Sequence, residues 1–144
     1  MAGTDGSAGS QAALRWALAQ ARVRGARLDV VHVWHYPWVV VAAGAAGAGV
    51  GREEYEAEGR RVLEQSIAEL AAARGDVEIH GRLGTGNAAE VLVRAAADAD
   101  LLVVGSRGRG GFKGLLLGSV SLQCAHHATC PVVIVPGEQQ HTTA

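Results

Sequence analysis

The residues best able to do chemistry lie together in Gly105-Ser-Arg-Gly-Arg-Gly-Gly-Phe-Lys-Gly-Leu-Leu-Leu-Gly-Ser-Val-Ser121. This segment leaves a buried-looking apolar run, turns through five glycines and opens a helical pattern at Gly118-Ser119. Glycines let backbone N–H groups approach an anion with no Cβ in the way. A helix start adds unbonded donors and the positive end of the peptide dipole. Ser119 and Ser121 supply hydroxyls, and Arg107, Arg109 and Lys113 can offset phosphate charge. The set fits an anion cradle. It equally fits a surface loop before an ordinary helix start, and composition does not separate the two. No Gly-x-x-x-x-Gly-Lys-Ser/Thr is present, since Lys113 stands between Phe112 and Gly114. No Gly-x-Gly-x-x-Gly marks the first strand-to-helix turn either, so P-loop and dinucleotide readings are poor.

Other reactive residues carry less. Cys124, His126, His127 and Cys130 look metal-like by type, but Cys-x-His-His-x-x-Cys is not a usual zinc spacing. On a helix Cys124 and His127 share a face while His126 points elsewhere, and packing between helix and strand is the better account. No serine sits in Gly-x-Ser-x-Gly, so a nucleophile elbow is missing. His32 and His35 read as packed or solvated rather than as bases. Trp16, Trp34 and Trp38 have no surrounding basic patch, and with only 4% aromatics in the chain, core packing and a loop anchor account for them better than base stacking.

The elements that must position the glycine-rich loop alternate between strand and helix. Ala13, Leu14, Ala17, Leu18 and Ala21 recur at helical spacing before a stop at Gly25. Leu28–Trp34 reads as a buried strand. A helix is expected over Glu53–Arg74, with Glu53, Glu54, Glu56 and Glu58 suited to its N-terminus. Asp76–Leu83 alternates like a half-exposed strand near an edge. Asn87 and Glu90 resemble a capping box before a helix over Val91–Ala96. Asp100–Ser106 is an apolar strand entering the loop, a helix runs from about Ser119 to Ala128, and Pro131–Val135 is the last strand. If Met1–Ser7 supplies a first strand, the order is β-α-β-α-β-α-β-α-β. That order implies an α/β fold, a doubly wound, mostly parallel five-stranded sheet with helices on both faces. Ligands in such sheets sit beyond the strand carboxyl ends, which selects Met1–Ser7, Val33–His35 and Val104–Gly108.

Bulk properties set the frame. The chain has 144 residues, 49% hydrophobic and 19% charged, which fits a single folded domain over 1–144 and argues against disorder. Thirteen basic against fourteen acidic residues give net −1, so no global field recruits nucleic acid or an anionic membrane. Two cysteines make no disulfide framework, and a cytoplasmic location is the default. No signal peptide is expected from Met1–Gly9. The longest apolar stretch, Trp38–Val50, has thirteen residues, short of the ~18–20 that span a bilayer, and reads as a loop or helix entry.

The glycine-rich segment also resembles the universal stress protein family, specifically its ATP-binding branch. That branch carries Gly, two residues, Gly, nine residues, Gly, then Ser or Thr, matched here by Gly105, Gly108, Gly118 and Ser119. His126-His-Ala-Thr-Cys-Pro-Val resembles the family's C-terminal half, Thr4–Ser7 the end of its first strand, and His32-Val33 its second. The resemblance implies a flavodoxin-like fold (adenine nucleotide alpha hydrolase-like) and binding of ATP, with Mg²⁺ held by the phosphates. Asp5, with backbone from Gly3 and Thr4, would face adenine and ribose, and Val33 would meet adenine through its main chain. Val104, Gly105, Arg107 and Gly108 would flank ribose and phosphates, and Gly118, Ser119, Val120 and Ser121 would hold the phosphates. It further implies a homodimer through Val132–Val135 and a regulator or sensor acting on an unidentified protein partner. A slow ATPase and a dimeric module without nucleotide are the alternatives. Family members place several apolar residues before the Asp-Gly-Ser motif, whereas only Met1–Thr4 stand here, so a short first strand, lower stability than relatives and a looser grip at Asp5 are expected.

Overall fold

The computed structural model describes residues 1–36, 51–109 and 116–137. The expectations for Trp38–Val50 and Lys113 therefore fall outside the described residues. β1 (Ala2–Thr4) leads into α1 (Ala8–Arg24), then β2 (Leu28–Trp34), α2 (Arg52–Ala68), β3 (Ile79–Thr85), α3 (Ala88–Ala95), β4 (Leu102–Gly105), α4 (Ser119–His127) and β5 (Val132–Val135). The five strands form one sheet in the order β3-β2-β1-β4-β5, and every pair is parallel. The expected doubly wound α/β architecture is present, and the first strand is short.

The winding direction follows from which face each apolar stripe covers. Leu14 and Leu18 of α1 and Leu63 of α2 pack with Ala2, Leu28, Val30 and Val103 on one face. Leu92 of α3 and Cys124 of α4 pack with Val31, Leu102 and Val104 on the other. The strands sort their side chains by period two, so Val30 and Val31 serve opposite cores. The chain runs outward from β1 through β2 to β3, crosses back, and runs outward again through β4 to β5. Strand order thus reverses between β1 and β4.

Local sequence explains the helix ends. The Ser7 side chain caps α1 by accepting from the Ser10 N–H, and Gly25 closes it in the left-handed region at φ 61°. Asn87 accepts from the Glu90 N–H at 3.1 Å and caps α3, as the capping box predicts. Two boundaries among those that differ from expectation have a clear cause. α2 stops at Ala68, and the chain tightens into a 3₁₀ turn over Ala71–Ala73 that buries Leu70. β3 begins at Ile79 because β2 sets its register, from Leu28 opposite Ile79 to Trp34 opposite Thr85; Val77 is buried ahead of the strand.

Candidate functional site

β1 is held on its two sides unequally. It pairs with β2 at three positions but with β4 only at Ala2 opposite Val103. Beyond that pair the two strands part, at the point where the strand order reverses. A cavity of about 460 Å³ occupies the parting, within the usual ~300–1,000 Å³ of small-molecule sites. Its walls divide by chemistry. Val31, Val33, Ala88 and Leu92 form an apolar side, and Arg107, Gly108, Gly118 and Ser119 form a side of backbone amides and positive charge.

The backbone at Val33 is open toward the cavity by alternation. Trp34 O accepts from the Gly86 N–H and the Leu28 N–H donates to Glu78 O, so even-numbered residues of β2 face β3. Val33 must then turn its N–H and C=O toward β1, whose ladder ends at Thr4 opposite His32. The Val33 carbonyl is left beyond the last strand pair.

The opposite wall starts at α4. Its N-cap residue, Gly118, has extended backbone (φ −77°, ψ 166°) and offers no capping side chain. The Gly118 N–H donates to Ser106 O at 2.7 Å, which seats the helix start on the end of β4. The Ser121 hydroxyl gives its proton to Ser106 O and Gly118 O, at 3.0 and 2.9 Å. Of the two hydroxyls expected to serve an anion, Ser121 is therefore buried and committed to the protein, while Ser119 is exposed.

Asp5 sits where β1 ends and binds in two directions. Its Oδ1 accepts the Ser7 N–H at 2.9 Å and its Oδ2 accepts the Arg109 N–H at 2.8 Å. Burial works against its charge, but bonds from the Ser7 hydroxyl and amide and from the Arg109 amide outweigh it and hold the carboxyl below its usual range. Gly108 approaches so closely that a Cβ there would lie 2.5 Å from Asp5 Oδ2. At Gly105 a Cβ would lie 3.0 Å from the Gly9 carbonyl, so that glycine lets α1 close on β4. Gly118 has no such neighbour, with nothing nearer than 3.5 Å.

Beneath the turn a hydroxyl chain fixes β1. Ser10 Oγ donates to Ser7 O at 2.9 Å, so it accepts from Thr4 Oγ1, and Ser66 of α2 then donates to Thr4. Thr4 Oγ1 also accepts the Gly6 N–H. His32 is packed on that same side, its Nδ1–H donating to Thr4 O at 2.9 Å, the packed one of the two alternatives, packed or solvated, expected for it.

Gly3, Thr4, Asp5, Val33, Val104, Gly105, Arg107, Gly108, Gly118, Ser119, Val120 and Ser121 all line this one cavity. Sequence reasoning missed Ser10, Val31, Ala88, Leu92 and Leu117, which line it too. Val31 was reachable, being two residues before Val33 on the same strand face, and Ala88 and Leu92 are an i,i+4 pair on the helix that Asn87 caps. Ser10 gave no such signal. Cys124 and His127 both lie within α4, three residues apart, with Cys124 buried and His126 and His127 exposed.

A sequence profile described as the universal stress protein family matches residues 1–136. A universal stress protein of Mycolicibacterium smegmatis is 40% identical over 133 residues, which are 92% of this chain and 44% of that protein. The universal stress protein Rv2005c of Mycobacterium tuberculosis is 37% identical over 138 residues, 93% of this chain and 44% of its own length. The chain thus spans less than half the length of these relatives. A crystal structure of a universal stress protein in complex with cAMP is 28% identical, has a TM-score of 0.71 and is matched over 95% of both chains.

Proposed function

The chain belongs to the universal stress protein family, and from that premise we propose that it binds an adenine nucleotide, ATP with Mg²⁺, in the cavity between β1 and β4. The observation that carries this reading is the division of the cavity walls at the strand-order reversal. A nucleotide is itself divided in that way, and each half finds its match. The base lies against Val31, Val33 and Leu92, with the open Val33 carbonyl as acceptor for an exocyclic amine. The phosphates lie at the uncapped start of α4, near Gly118 and Ser119, with Arg107 to offset charge. The 28% identical relative with the same fold, solved with cAMP, supports an adenine ligand.

Among the described residues no group of three or more His, Cys, Asp or Glu could hold a metal ion. Mg²⁺ would accordingly ride on phosphate oxygens and water. Both oxygens of Asp5 already accept backbone amides, and no other carboxylate lines the cavity among the described residues, so the site binds and orients rather than turning substrate over rapidly. The role is that of a cytoplasmic regulator or sensor whose nucleotide state is read by a protein partner. β5, half-buried and apolar over Val132–Val135, pairs with its counterpart in a second copy.

The test is thermal unfolding with ATP·Mg²⁺, AMP, cAMP and GTP in parallel. A ligand at 100 times its Kd stabilises by about 2.7 kcal/mol, a rise easily read. Adenine nucleotides should raise the melting temperature and GTP should not. No shift with any adenine nucleotide at millimolar concentration refutes the reading. A single-turnover rate constant within the ~1–100 per second of ordinary kinases would refute the binding role in favour of an enzyme.

A further inference from the structure

We infer that the Asp5 carboxylate is a positioning latch, joining the β1–α1 turn to the glycine-rich loop and fixing the cavity rim before any nucleotide arrives. Its functional consequence rests on the nucleotide reading above; the latch itself does not.

The loop that leaves β4 is anchored at its start and again at Arg109. At its start, Ser106 O accepts from the Gly118 N–H and the Ser121 hydroxyl, and the Ser106 N–H donates to Val135 O. At Arg109 the amide donates to Asp5 Oδ2 at 2.8 Å, joining residues 104 apart in sequence. Arg107 and Gly108, which form the cavity rim, are suspended between these anchors. The fit at the latch is tight, since a Cβ on Gly108 would meet Asp5 Oδ2 at 2.5 Å. The Arg109 guanidinium folds back over Gly6, close to where a Cβ on that glycine would stand. The other carboxylate oxygen is braced by the Ser7 N–H, so Asp5 cannot swing without losing both bonds.

The chemistry demands a carboxylate. Two backbone donors converge on one side chain, and only an ionised carboxyl offers an acceptor to each. Asparagine would aim an NH₂ at one of the two amides. Hydrogen bonds to an ionised acceptor are roughly twice as strong as neutral ones, which suits a single bond that must hold a loop.

The experiment measures amide hydrogen exchange by NMR on the free protein, and nucleotide affinity by calorimetry, for the wild type, Asp5→Ala and Gly108→Ala. In the wild type the Arg109 amide should be protected, and Asp5→Ala should speed its exchange about 10–100-fold, the worth of a bond to a charged acceptor. The β2 amides of Val30–His32 should keep their protection. Gly108→Ala, which retains the carboxylate but forces it aside, should release the same amide and serves if Asp5→Ala does not fold. Affinity for AMP should fall in both variants, and the loss should be equal for 2′,3′-dideoxyadenosine 5′-monophosphate. An Arg109 amide that exchanges freely in the wild type overturns the latch. An affinity loss that appears with AMP and vanishes with the dideoxy analogue overturns the functional consequence of the latch, because Asp5 would then act only through the ribose. If Arg109 is protected and released as described while the wild type binds no adenine nucleotide, the latch is supported and the nucleotide reading fails.

Discussion

Replacing Gly118 with serine should move stability and binding in opposite directions. α1 and α3 carry side-chain caps from Ser7 and Asn87, whereas α4 has none. Gly118 already holds the extended backbone of an N-cap residue, at φ −77° and ψ 166°, and a Cβ there would meet nothing nearer than 3.5 Å. A serine can therefore enter without strain, and its hydroxyl would accept from the amide of Val120 or Ser121. The free protein should gain a few tenths of a kcal/mol, a rise of about 1 °C in a domain of this size. On the proposed reading, the same hydroxyl takes a donor that the phosphates would need. Losing one hydrogen bond to a charged acceptor costs about 1.5–3 kcal/mol, which is about 10–100-fold in Kd for ATP. Gly118→Ala separates space from capping. It should cost the free protein no more than about 1 kcal/mol and leave the α4 amides available. Scanning calorimetry reads the first quantity and isothermal titration calorimetry the second. A Gly118→Ser protein that binds ATP as tightly as the wild type refutes the assignment of phosphates to the start of α4.

Two further outcomes follow from the same geometry. Val133→Asp on β5 should convert a dimer to a monomer, read by sedimentation velocity at micromolar concentration, and a wild type that is already monomeric there refutes pairing through that strand. The depressed carboxyl of Asp5 fixes the sign of a pH effect: its contribution to stability is complete above the unfolded carboxyl value of ~3.9 and is lost as pH falls through its lower folded value, because the unfolded state binds more protons in that window. Urea unfolding of the wild type and Asp5→Asn across pH 2–5 should show a shallower acid dependence in the variant; equal slopes would mean that the carboxyl is not held down by its amide bonds.

The alternation of periods carried most of the architecture, because buried strands and amphipathic helices must write their contacts into spacing. Leu28–Trp34 was legible to the residue, being apolar on both faces between turn signals. The end of α2 was not, because Ala71–Ala73 favours a helix by propensity and only burial of Leu70 against the core breaks it. β3 slid relative to its hydrophobic pattern because its partner, not its own composition, sets register. At the site, the glycine spacing located one wall, yet spacing alone left an anion cradle and an ordinary loop equally open. The apolar wall from α3 was invisible in that motif, since Ala88 and Leu92 reach the cavity only through the crossover that carries α3 to the second face. The bond between Asp5 and Arg109 was likewise hidden, as sequence separation gives no cue to a side chain meeting a distant amide.

The three glycines of that spacing divide the work differently from how a motif suggests. Gly105 is required by the Gly9 carbonyl and Gly108 by the Asp5 carboxylate, so both answer to contacts the protein makes with itself. Gly118 meets no protein atom that would exclude a side chain, and its backbone suits any residue. The first two therefore belong to the assembly of the rim, and the third to what the rim admits. A chain altered at Gly105 or Gly108 should lose binding by losing shape, with its stability falling alongside. A chain with serine at position 118 should keep its shape and lose only the ligand. Separating those two kinds of loss tests the proposal that a polyanion is held at the start of α4 rather than along the whole glycine-rich loop.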